Sequence, residues 1–350
     1  MKIAVLTHPP AKNYGGIMQA LALSGALKEM GHECQVVYGP VKKLSAFRQL
    51  KEAVRKAFGL GRDKPYRNMM QFVRQNIPVT KPWYGRTVPE CDCFIVGSDQ
   101  VWRPSYTPVP GAYFLDFLPD SSRAVKLSYA ASFGVDRWEF SPEQTAEFGK
   151  LIRKFDAVSV RESSGVGLCQ QHWNCTAVQV PDPTLLHNAD FYRAFVPEHL
   201  GKLPAGKVLF TYFLDSNSGK ERLADDFAAA SGLLRDDFLP RKKRISRRPV
   251  EEFINGIDKA GFVLTDSFHG MVFSMIFGVP FAVIGNAKRG MSRFELALKA
   301  GVPEVILDEN AAADDLLKLA SDVLRYKKIA EFLASEQSRG RDFLKQQLVK

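Results

Sequence analysis

The residues best suited to chemistry fall where short apolar runs give way to small and polar side chains. The fullest case is Thr265-Asp266-Ser267-Phe268-His269-Gly270, preceded by Gly261 to Leu264 and followed by Met271 to Phe277 and Gly278-Val279-Pro280. Ser267 is a helix-capping type at the start of an apolar helix. Backbone N–H groups and the helix dipole there favour an anion. His269 falls in the first helical turn, where it either meets the same ligand or packs against its own domain. In Val96-Gly97-Ser98-Asp99-Gln100 the carboxylate of Asp99 suits a base or an acceptor of ligand hydroxyls, or else caps its own turn. Arg161, in Ser159-Val160-Arg161-Glu162, offers a guanidinium that grips phosphate or carboxylate with two prongs. Gly15 and Gly16 let a ligand approach the backbone. Asn13 and Gln19 face that ligand or are only turn and surface residues. Cys169, His172 and Cys175 are three ligand types at helical spacing without C-x-x-C, so no metal site is expected.

These residues need strands that end at one edge and helices that start there. Lys2 to Thr7 reads as a strand, Tyr14-Gly15-Gly16 as a turn, Ile17 to Met30 as a helix and Cys34 to Tyr38 as a second strand. This opening lacks the G-x-G-x-x-G and G-x-x-x-x-G-K-[ST] spacings, which weakens nicotinamide, flavin and ordinary NTPase readings. Further strands end at Val96, before Ser132 and at Val160, and a helix starts at Ser141-Pro142-Glu143. The two prolines of Val180-Pro181-Asp182-Pro183-Thr184 mark a boundary, giving domains at 1–183 and 184–350 with the last helix free to cross back. The second half repeats the pattern: strand Val208 to Phe213, helix Gly219 to Ala230, the 261–277 unit and strand Phe281 to Ile284. A basic loop with Lys288, Arg289 and Arg293 follows, and 314–350 is mainly helical. The expected fold class is α/β, two Rossmann-like domains facing a cleft, with ligands at the carboxyl ends of the strands.

The chain has 350 residues, a formal net charge of +10, 45% hydrophobic residues and five cysteines. That composition is ordinary for a globular protein of two domains. No apolar run is long enough to span a membrane, the N-terminus does not read as a secretory signal, and the odd cysteine count suits reduced thiols, so a cytoplasmic protein is expected. The positive excess points to an anionic partner. Residues 42–75 carry ten Lys and Arg against Glu52 and Asp63. Their apolar stripe, from Leu44 to Phe58, packs on its own domain or lies peripherally on an anionic membrane or glycan. The run Arg241 to Arg248 reads as a solvated loop or an acceptor-facing lip. No nucleic-acid motif accompanies the charge, so nucleic acid is not expected as a partner.

Six stretches in order carry a more specific likeness: Asn13-Tyr14-Gly15-Gly16 with Gln19-Ala20, Val96 to Trp102, Tyr129-Ala130-Ala131-Ser132-Phe133-Gly134, Ser159-Val160-Arg161-Glu162, Asp182-Pro183-Thr184 and Thr265 to Gly270. As a set they resemble the polysaccharide pyruvyl transferase family over about residues 1–300. The resemblance implies a GT-B-like fold and a metal-free, cofactor-free transfer of pyruvyl from phosphoenolpyruvate, as co-substrate, onto two hydroxyls of a glycan or lipid-linked sugar. It implies that Asn13, Gly15, Gly16, Ser98, Gln100, Ser132 and Ser267 line the substrates. By the same resemblance His269 handles phosphate or a proton, Asp99 engages acceptor hydroxyls, and Arg161 clamps the donor from the other half. Several members carry Arg-aliphatic-His where this chain has Ser267-Phe268-His269, so phosphate neutralisation falls to Arg161, Lys288, Arg289 or Arg293. A GT-B glycosyltransferase using a nucleotide sugar is the alternative.

Overall fold

The computed structural model describes residues 1–40, 64–83, 90–201, 205–239, 247–285, 294–308 and 310–349. The chain forms two units: Met1–Leu186 together with Ser338–Lys350, and His187–Gln337.

In the first unit the strands are β1 (Lys2–Thr7), β2 (Glu33–Tyr38), β3 (Cys93–Val96), β4 (Val125–Ser128), β5 (Val158–Val160) and β6 (Ala177–Gln179). The helices are α1 (Tyr14–Glu29), α2 (Arg67–Asn76), α3 (Pro142–Ile152) and α4 (Ser163–Trp173). All pairings are parallel, in the order β2-β1-β3-β4. Isolated bridges Leu127–Ala157 and Ala131–Val160 carry the order on to the parallel β5–β6 pair. Two serines fill the gaps in that seam. Ser128 Oγ accepts from Ser159 N at 2.8 Å and donates to Ser159 O at 2.9 Å, while Ser159 Oγ donates to Ser128 O at 2.6 Å and accepts from Ala130 N at 3.2 Å.

Helices cover a parallel sheet on its faces, so β1 and β3 are continuous apolar runs, buried from Ile3 to Thr7 and throughout Cys93–Val96. Helix α1 is buried nearly all round, which fits its weakly polar sequence. It starts at Tyr14, three residues earlier than the sequence reading, because the Asn13 side chain accepts from Gly15 N at 3.1 Å and caps it. Tyr14-Gly15-Gly16 is therefore the start of the helix and not a turn that precedes it. The core behind β3 is aromatic: Phe114 stacks on Phe148 and Trp102, and Trp173 meets Trp102 and Phe114 edge-on. Helix α2 buries Met69, Phe72 and Val73, so the described end of the basic 42–75 segment packs on its own unit; residues 41–63 lie outside the described ones.

The second unit contains α5 (Ala189–Arg193), α6 (Glu198–Gly201), β7 (Val208–Tyr212), α7 (Ser218–Ser231), β8 (Leu234–Asp237), α8 (Val250–Asp258), β9 (Phe262–Thr265), α9 (Phe268–Phe277), β10 (Phe281–Ile284), α10 (Glu295–Lys299), β11 (Ile306–Leu307) and α11 (Ala313–Ser321). The last helix, α12 (Val323–Gln347), begins in this unit and ends in the first. The sheet is again parallel, in the order β8-β7-β9-β10-β11. Both units thus share one winding. The second strand lies on one side of the first and the third on the other, so successive connections leave in opposite directions. The reversal falls between β1 and β3 in one unit and between β7 and β9 in the other, and open α/β sheets bind ligands at the carboxyl ends of such strands. No described helix is long and apolar enough to cross a membrane.

Candidate functional site

The carboxyl edge of the first unit collects residues from four strand exits. At the β1 exit Thr7 Oγ1 donates to Ser98 O at 2.9 Å and accepts from Gln19 Nε2 at 2.9 Å. Gln19 also donates to Gly16 O at 3.0 Å and accepts Ser98 N at 3.2 Å. Gln19 is fully buried, neither facing a ligand nor on the surface; it ties the β1 exit to the β3 exit. Gly97 has φ +118°, and an added Cβ would lie 2.3 Å from Tyr129 O, so only glycine fits there. Ser98 is buried and donates to Ala130 O at 3.0 Å. Asp99 follows at φ +67°, partly exposed, with Oδ1 accepting Gln100 N at 2.8 Å and Oδ2 beside Gly16. Gln100 accepts from Arg103 Nη1 at 3.0 Å.

Further along the edge, Arg161 is held rather than free. Its Nη1 donates to Asp182 Oδ2 at 3.1 Å, Nη2 to Ser132 Oγ at 3.0 Å, and Nε to Glu162 Oε1 at 3.0 Å. Ser132 in turn donates to Glu162 Oε1 at 2.6 Å and accepts Gly134 N. Asp182 Oδ1 accepts both Thr184 N and Thr184 Oγ1. Burial opposes the Arg161 charge, but Glu162, Asp182 and Asp99 outweigh it and raise its pKa. The guanidinium expected to clamp a donor is engaged by protein carboxylates, and this edge sets three carboxylates against it.

Sequence reasoning passed over two groups at the β1 exit. His8, in Thr7-His8-Pro9 at the β1 exit, sets its ring edge-on to Tyr113 with centroids 5.6 Å apart. Tyr113 donates to Thr7 O at 3.3 Å, and burial, then Asp99, raises its pKa far above the ordinary phenol range.

In the second unit the β9 exit is built around Thr265, whose Oγ1 donates to Tyr212 O at 2.6 Å and accepts Ser267 N at 3.0 Å. Ser267 caps α9, accepting Gly270 N at 3.4 Å. His269 is buried in the first turn of that helix, its ring edge-on to Phe268. Between Thr265 and Ser267 lies a group the sequence did not flag. Asp266 is fully buried and accepts Leu214 N at 2.6 Å, Asp215 N at 3.1 Å and Lys220 Nζ at 2.7 Å. Lys220, equally buried, also donates to Asp215 O at 2.8 Å. Lys288, Arg289 and Arg293 lie outside the described residues. So does most of the 241–248 run; its last member, Arg248, pairs with Asp236 and Glu252. His172 stacks on Trp138 at 4.1 Å, and Cys169 is a buried thiol whose pKa burial raises. Among the described residues no group of His, Cys, Asp and Glu is placed to hold a metal ion.

Asn13, Gly16, Asp99, Ser132, Arg161 and Ser267 thus all occupy the strand exits or helix starts of one edge of their own sheet. A family model, polysaccharide pyruvyl transferase, matches residues 13–288 and takes in every one of these six residues. The chain belongs to the polysaccharide pyruvyl transferase family. Solved structures give the fold. UDP-GlcNAc 2-epimerase from Neisseria meningitidis bound to UDP-GlcNAc has a TM-score of 0.55 at 9% identity over 100% of both chains. LpCGTa in complex with UDP has a TM-score of 0.53 at 15% identity over 100% of this chain and 99% of that one. Spinosyn forosaminyltransferase SpnP has a TM-score of 0.50 at 15% identity over 99% and 98%. These likenesses place this polysaccharide pyruvyl transferase family member in the GT-B fold. No curated protein sequence matches the chain.

Proposed function

We propose that this protein transfers the pyruvyl group of phosphoenolpyruvate to two hydroxyls of a sugar in a glycan or lipid-linked saccharide. The products are a pyruvate ketal and inorganic phosphate. The observation that carries the reading, beyond family membership, is the contrast in charge between the two strand edges. In the first unit Asp99, Glu162 and Asp182 surround one guanidinium, a setting suited to accepting hydrogen bonds from sugar hydroxyls and poor for a phosphate. In the second unit a serine-capped helix start with His269 in its first turn follows an aspartate already neutralised by Lys220, a setting suited to an anion.

The chemistry is redox-neutral and balances with phosphoenolpyruvate as a co-substrate. One acceptor hydroxyl adds to C2 while the methylene C3 takes a proton and becomes methyl. The C2–O bond to phosphate breaks, its electron pair leaving with phosphate. The second hydroxyl then closes on C2, and its proton goes to phosphate. In this reading Asp99 receives an acceptor hydroxyl and its proton, and His269 attends the phosphate or the proton at C3. Arg161 holds Glu162 and Asp182 in place. Lys288, Arg289 and Arg293, which follow β10 in the sequence, are the proposed charge partners of the phosphate.

The test incubates the protein with phosphoenolpyruvate and a panel of aryl β-galactosides and lipid-linked saccharides, then weighs products and measures phosphate. A product heavier by pyruvate less one water, with phosphate released alongside it, is expected. No adduct, together with a thermal shift from nucleotide sugars and none from phosphoenolpyruvate, would hand the site to a glycosyl transfer instead.

A further inference from the structure

We infer that the buried Lys220–Asp266 pair is the positioning device of the donor site, setting the 267–270 turn and removing the negative charge that would otherwise sit beside its anion. The inference rests on the proposed placing of the donor's phosphate at that turn. Both side chains are fully buried, with Nζ and Oδ2 2.7 Å apart. An ion pair withdrawn from water is a poor stabiliser, since the cost of desolvation rivals the Coulomb gain, and apolar residues of similar size often do as well. Its geometry suggests what an apolar pair could not do.

Asp266 accepts the backbone N–H groups of Leu214 and Asp215, just past the end of β7, while it forms part of the exit from β9. It therefore ties together the two neighbouring strand exits between which the winding of this sheet reverses. Lys220, in the first turn of α7, donates to the same carboxylate and to Asp215 O, so the β7–α7 connection is held from both of its ends. Thr265 completes the frame by accepting Ser267 N, and the tight approach of Gly270 to Thr265 leaves no room for a side chain at 270. The residue directly after Asp266 is the α9 cap. A bare carboxylate one residue before an anion-binding turn would repel a phosphate through a poorly screened interior. Lys220 cancels that charge, and the pair delivers Ser267 and the first turn of α9 in one orientation.

The test compares the parent with Asp266→Asn and with the double variant Lys220→Met/Asp266→Leu, reading the urea midpoint, the Kd for phosphoenolpyruvate and kcat/KM. The double variant removes both charges but leaves the Leu214 and Asp215 N–H groups without their acceptor, so its urea midpoint is expected to fall while the protein stays folded in buffer. Its kcat/KM should nevertheless fall roughly a hundredfold, the usual scale for a reacting group displaced by about an ångström. Its phosphoenolpyruvate Kd should rise in the same direction. A kcat/KM within about threefold of the parent in the folded double variant, whatever its midpoint, would show a merely structural pair and overturn the inference. Should the double variant fail to fold, Asp266→Asn decides: it leaves Lys220 unpaired, so its urea midpoint falls, and parental kcat/KM in its folded molecules overturns the inference. A parent that forms no ketal but binds a UDP-sugar sinks the pyruvyl reading alone, and the same comparison on UDP-sugar Kd then judges the pair. A parent that binds neither donor has no anion turn, and the inference falls with it.

Discussion

Asp99 and Arg161 are both charged residues at strand exits, yet their surroundings give them different work. Asp99 has a left-handed backbone, a partly exposed carboxylate and one oxygen spent on Gln100 N. Asparagine tolerates that backbone and can accept the same N–H. Asp99→Asn should therefore melt with the parent while its transfer rate falls roughly a hundredfold, the loss expected when a proton acceptor is removed; an unchanged rate would take the hydroxyl-accepting role from it. Arg161 is nearly buried between Glu162 and Asp182. Removing it strands two carboxylates, so Arg161→Ala should cost about 3–5 kcal/mol in urea denaturation. Arg161→Lys should recover only part, since an ammonium cannot serve the three acceptors that the planar fork reaches. A parental denaturation midpoint in Arg161→Ala would restore the guanidinium as a free donor clamp. For His269, a Gln substitution should lower the rate roughly a hundredfold, with stability within about 1 kcal/mol. Retained activity with a large loss of stability would make it a packing residue.

At the scale of elements, the β3–α1 corner shows how little freedom the site has. Gly97 meets Tyr129 O, and its φ of +118° is closed to other residues. Neither the carbonyl nor the strand that carries it can withdraw without breaking the Tyr129 N to Val96 O bond that joins β3 to the next exit. Gly97→Ala should cost at least ~2 kcal/mol, measured as a lowered urea midpoint. Because Ser98 and Asp99 follow directly, folded molecules of the variant should also lose activity. A variant of parental stability would mean that the exit adjusts more freely than its hydrogen bonds suggest.

At the scale of the whole molecule, the last residues of the chain belong to the first unit. Arg341 donates to Leu186 O at 2.9 Å and pairs with Glu29. Phe343 lies against Tyr129, Leu344 is fully buried, and Gly340 packs closely on Tyr129, Pro181 and Leu186. The tail thus buttresses the backbone behind the Ala130–Ser132 exit. Deleting residues 338–350 should expose the first unit to protease before the second, read by mass spectrometry of a limited digest. Equal resistance of the two units would mean that the tail adds nothing to the first. The net charge of +10 is not gathered on the described strand edges, where the cations Arg161 and Lys220 are both matched by carboxylates.

What the sequence determined by itself is what depends on near neighbours. An apolar run followed by small polar residues ends a strand, and Ser267 three residues before Gly270 caps a helix; both were legible because each involves only a few residues of chain. The six family stretches were legible for the same reason, each being one strand exit or helix start. The α1 boundary was misplaced because two glycines look like a turn until the Asn13 cap is seen. Only the tertiary structure decided which charges meet. Lys220 and Asp266 are 46 residues apart, and Arg161 and Asp182 are 21 apart. Nothing in the chain between them encodes the pairing, which arises when strand order brings separate exits side by side. Whether a polar side chain such as Gln19 faces a ligand or locks two exits together follows from that order. A buried polar group must find its partners wherever the sheet has placed them.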